Sequence, residues 1–110
     1  MNKFEALSQT ESDDNDLAVG LAGERSRYQI TEKVWRENTS LPFSDAVKPA
    51  IALWVVEHLM VFRVSDFYER HHRMPNDYEW YLIYSCPSEV EHPSKTKSET
   101  ATRFANLAGS

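Results

Sequence analysis

The stretch Ser44 to Arg73, SDAVKPAIALWVVEHLMVFRVSDFYERHHR, decides how the rest of the chain is read. Pro49 lacks the amide proton that a helix interior needs, but it suits the first helical position, where that donor has no partner anyway. The pattern predicts a helix from Pro49 to about His72, roughly six to seven turns at 3.6 residues each. Leu53, Val56, Met60, Val64 and Phe67 recur at steps of three and four and draw one apolar stripe along it. Ile51, Val55, Leu59 and Phe62 draw a second on another face, so the helix needs cover on two sides. Pro75 then breaks the hydrogen-bond ladder and biases Met74 toward extended backbone.

Length rules out a membrane-spanning reading. The longest uninterrupted apolar run, Pro49 to Val56, holds eight residues, against the roughly 20 that a bilayer requires. Glu57 and His58 would also sit near the bilayer centre, where charge is costly.

Downstream, Tyr78 to Cys86 (YEWYLIYSC) is rich in aromatic and β-branched residues, which favours a strand by propensity. Asn76 and Glu79, however, stand in the relation of an N-cap and its reciprocal partner three residues on, which predicts a short helix from Asp77 to Ser85. After Pro87 the chain reads as a polar linker, followed by a short helix over Ser98 to Leu107. Upstream, Ser8 to Asp16 carries four acids and no apolar side chain, too little hydrophobic surface to offset the entropy of ordering. Residues 1–16 are expected to be a mobile acidic arm, and Leu17 to Glu37 a further helix. The predicted architecture is thus a mainly α domain over residues 17–87 around one long helix. The alternative is α+β, with Tyr78 to Cys86 pairing with Arg27 to Thr31.

The whole chain is 110 residues, enough for one core. Its net charge of −5 argues against a nucleic-acid partner. A single cysteine excludes a disulfide framework and any zinc site that needs two thiolates. With no secretory apolar run after Met1, the expected setting is cytoplasmic. No glycine-rich phosphate loop and no nucleophile elbow is present. No metal, cofactor or catalytic residue is predicted.

Several groups invite chemistry. Glu69 and His72 stand three apart and could share a metal ion, but no second such pair completes a site, and the basic groups around them suit a helix C-terminus. Glu57 and His58 interrupt an apolar helix, yet adjacent helical residues diverge by about 100°. Cys86 has no nucleophile context and reads as a small core thiol. Tyr68, Tyr78, Trp80, Tyr81 and Tyr84 are more large rings than a small core easily buries, which points to an exposed aromatic binding patch.

The sequence therefore favours a non-enzymatic protein–protein interaction module. Self-association as a homodimer is expected along Leu53, Val56, Met60, Val64 and Phe67, with a further protein partner at the aromatic patch. The alternative is a small-molecule or enzymatic pocket lined by those rings, with His58, Glu69 or His72 as polar groups. A third reading, an acidic nucleic-acid mimic, draws only on Glu11 to Asp16 and the net charge.

Overall fold

The computed structural model describes residues 1–109. Five α-helices form the domain: α1 (Lys3–Ser12), α2 (Glu32–Asn38), α3 (Pro49–His71), α4 (Asp77–Ser85) and α5 (Lys95–Ala108). Among the described residues there is no strand, only isolated antiparallel bridges of Arg25 with Val19 and Ile30.

The long helix α3 begins with Pro49 in its first turn and ends where His72 turns left-handed at φ 55°, with Arg70 and His71 in the last turn beside the carbonyl end of the helix dipole. Helix α4 opens with both halves of a capping box: the Asn76 side chain accepts from the Glu79 amide, and the Glu79 carboxylate accepts from the Asn76 amide. The residues of the α+β alternative meet differently, through the Tyr84 hydroxyl donating to the Tyr28 carbonyl.

Helix α4 is the most deeply buried element, with Trp80, Tyr81, Leu82, Ile83 and Tyr84 all inside. Phe4 of α1 meets Trp80 edge-on at 5.5 Å between ring centroids. Phe104 of α5 lies parallel to the same indole at 5.4 Å. From α3, the Arg63 guanidinium donates through Nη1 to the carbonyls of Ile83 (3.1 Å) and Tyr84 (2.7 Å), acceptors that the last turn of α4 leaves open.

Three expectations are corrected. Residues 3–12 are not a mobile arm: α1 is capped by Asn2 and packs on α5, with Ala6 and Leu7 completely buried. The few apolar residues just upstream of the acidic run are enough to anchor it. The helix expected over Leu17 to Glu37 shrinks to α2, capped by Thr31. The preceding segment turns at Gly23, Ser26 and Gln29, all at positive φ, and is tied back by the Arg27–Asp16 ion pair at 2.6 Å. Finally, the segment after Pro87 is not peripheral to a 17–87 domain. Helix α5 is longer than expected, is capped by Ser94, and inserts Ala101 and Phe104 into the same core. Ser110, the last residue of the expected C-terminal segment, lies outside the described residues.

Leu7→Ala is expected to lower unfolding free energy by about 2–5 kcal/mol in urea titrations, as for a buried leucine cavity. Leu21→Ala, at a fully exposed position, should stay within about 0.5 kcal/mol of wild type.

Candidate functional site

The expected aromatic patch is largely core. Trp80, Tyr81 and Tyr84 are buried, while Tyr78 is half-buried with its hydroxyl 2.8 Å from Ser98 Oγ. Of the five only Tyr68, on α3, is exposed. The polar tips of the two buried tyrosines have partners: Tyr81 donates to Glu11 Oε1 at 2.7 Å and Tyr84 to the Tyr28 carbonyl.

The expected self-association stripe is also turned inward. Val56, Met60 and Phe67 are buried, and Leu53 and Val64 pack half-buried against the core. The face of α3 left open carries Trp54 (55% exposed), Val61 (64%), Phe62 (63%) and Tyr68 (50%). His58 joins two of them: its ring stacks on Trp54 at 5.9 Å and meets Phe62 edge-on at 5.2 Å. These side chains form an ordered apolar ridge. Its signal in the sequence is the sevenfold step Trp54, Val61, Tyr68, which keeps three residues on one line of a helix to within about 20° per step.

The remaining candidates stay apart. Glu57, Glu69 and His72 are exposed, and among the described residues no group of three or more His, Cys, Asp or Glu could hold a metal ion. His71 packs on Phe67 at 4.3 Å between centroids. Burial pushes the Cys86 thiol up, away from the thiolate a nucleophile needs. The acidic run is bound internally: Asp14 accepts from Ser8 Oγ at 2.6 Å, and Asp16 holds Arg27.

A polar cleft that sequence reasoning missed opens where α1, the 20–31 loop, α3 and α5 converge. It encloses about 500 Å³ and is lined by Glu11, Glu24, Gln29, Arg63, Tyr84, Ser85 and Lys97, together with Ile30, Val34 and Leu59. Glu11 has its carboxyl raised above the usual carboxylate range, chiefly by burial and further by Glu24, against the opposing pull of the Tyr81 hydroxyl and Lys97. Arg63 is depressed by burial. These residues come from distant parts of the chain, so no local motif marks them.

No protein-family model matches the chain, and no curated protein or solved structure matches it either. None of the helices among the described residues is long and apolar enough to cross a membrane.

A raised Glu11 binds its proton more tightly in the folded than in the unfolded chain. The stability from that proton is complete below the unfolded pKa and is lost as pH rises through the folded value. Glu11→Gln should therefore melt higher than wild type at neutral pH, and the gap should close below about pH 4, where both states of the carboxyl are protonated. Paired thermal melts at the two pH values check this.

Proposed function

We propose that this protein is a self-associating interaction module in which two copies pair through the open face of α3, antiparallel and centred on Val61. The observation that carries the reading is the regular ridge of Trp54, Val61 and Tyr68 on a helix whose Val56, Met60 and Phe67 stripe is buried by its own chain. Because the steps on either side of Val61 are equal, a two-fold axis there lays Trp54 on the copy's Tyr68 and Val61 on itself, as an isologous contact demands. The same register sets Glu57 opposite the copy's Ser65 and Glu69 opposite its Leu53, so it opposes no like charges along the seam.

The area agrees. The exposed fractions of Trp54, Val61, Phe62 and Tyr68 correspond to roughly 450 Å² of side-chain surface. A standard interface buries about 800 Å² per partner, of which about 65% is apolar in homodimers. The ridge supplies most of that apolar part, and groups around it such as Glu57 and Ser65 supply a polar rim.

The two-fold at Val61 gives a test with its own control. In sedimentation equilibrium the wild type should move from 12.7 kDa to twice that mass as concentration rises. Val61→Asp and Val61→Lys should each weaken pairing at least about 100-fold, because identical charges meet at the axis in a desolvated contact. An equimolar mixture of the two should recover the dimer. A wild type that stays at 12.7 kDa at high micromolar concentration overturns the proposal, as does a mixture that stays monomeric.

A further inference from the structure

We infer that the cleft between α1, the 20–31 loop, α3 and α5 is a binding site for a free α-amino acid with an apolar side chain, its ammonium held by Glu11, Glu24 and Gln29 and its carboxylate by Lys97 and Arg63. Several polar atoms of the lining already have partners. Glu11 Oε1 accepts from Tyr81, and Glu24 Oε1 accepts from the Ala22 amide at 2.7 Å. Gln29 spends its Nε2 on the carbonyls of Ala18 (3.2 Å) and Ser26 (2.9 Å).

The second oxygens of both carboxylates and the amide oxygen of Gln29 accept no hydrogen bond from the described residues. Glu24 Oε2 and Gln29 Oε1 both face the space beside Gly20, where a β-carbon built on that residue would fall 2.5 and 2.7 Å from them. Three unused acceptors, two of them on carboxylates, match the three donors of a primary ammonium.

The opposite requirement is met in the same cleft. Lys97 Nζ uses one donor on Ser85 Oγ at 2.6 Å, and Arg63 uses only Nη1, on two carbonyls. Neither cation has a carboxylate within ion-pair distance among the described residues, and unlike Lys33, Lys95 and Arg103, which also lack one, both line this cleft. Two cations with donors to spare suit a carboxylate. Ile30, Val34 and Leu59 give the cleft an apolar wall for the ligand's side chain, and a volume of about 500 Å³ lies within the usual range for small-ligand sites. A ligand with one pole only would leave the other set of groups unmatched.

Titration calorimetry on the full chain with L-leucine and L-phenylalanine tests the inference. At least one should bind. Its analogues with one pole removed (4-methylpentanoate and isoamylamine, or 3-phenylpropionate and phenethylamine) should bind at least ten times more weakly. Glu24→Gln and Lys97→Met should each weaken the amino acid at least tenfold. No heat from either amino acid at tens of millimolar overturns the inference, and so does an analogue that binds as well as its parent or a pair of folded variants with unchanged affinity. Should the variants lose their fold, amide shift mapping on the wild type decides: shifts confined to Glu24, Gln29, Arg63 and Lys97 support the site, and shifts elsewhere overturn it. None of these residues lies on the Val61 ridge, so failure here leaves the pairing proposal standing and the reverse.

Discussion

A helix that is apolar on every side has to be surrounded, and α4 is such a helix. Five consecutive residues, Trp80 to Tyr84, are buried, and consecutive positions span the full circumference at about 100° each. No single neighbour can cover them. Helices α3 and α5 pack against α4, while Phe4 and Glu11 bring α1 onto Trp80 and Tyr81. Both terminal segments are thus drawn into the core, although neither has much apolar surface of its own. The Tyr81 and Tyr84 hydroxyls set the terms of that packing, because a buried phenol without a partner costs more than its hydrogen bond contributes when made. Glu11 and the Tyr28 carbonyl answer them from elements far away in sequence.

The same demand explains the polar cleft. Glu11 reaches Tyr81 from α1, and Arg63 reaches the carbonyl end of α4 from α3. Each ionisable group is brought inward by an uncharged partner on α4, not by an opposite charge. Burial is the leading influence on both, raising Glu11 against the pull of Tyr81 and Lys97 and depressing Arg63. Glu11 and Arg63 thus reach the cleft without an ion pair, and their burial follows from the way α4 is closed over.

The parts of the fold legible in the sequence are those set by local rules. Pro49 fixes where α3 begins, and Asn76 with Glu79 outweighs the β-propensity of YEWYLIYSC. What sequence could not settle is which faces look outward. Helical periodicity fixes the angle between two stripes on α3 but carries no information on which neighbour arrives to cover either. Leu53, Val56, Met60, Val64 and Phe67 draw the clearer stripe, and for that reason the chain's own helices claim it. The ridge of Trp54, Val61 and Tyr68 is harder to see because Glu57 and His58 break the apolar run in the sequence, and it is left open. In α1 the misleading feature is the acidic run, since the buried Ala6 and Leu7, with Phe4 on Trp80, suffice once α5 is there to receive them. The Glu11, Glu24 and Lys97 constellation joins three segments with no common spacing, so only folding brings it together.

The ridge and the cleft are compatible because α3 separates them. Leu59 lines the cleft and Val61 stands at the centre of the ridge, two residues apart on the same helix. Two helical steps turn a side chain by about 200°, so these residues point to nearly opposite sides. Trp54 and Tyr68, seven positions either way from Val61, share its direction, and Arg63, four beyond Leu59, shares that of the cleft. A copy docked on the ridge would leave the cleft mouth untouched, and any coupling between the two would have to pass through α3. The group placed to feel both sides is Arg63: its guanidinium lines the cleft and holds the last turn of α4, while its backbone follows directly on Phe62 of the ridge.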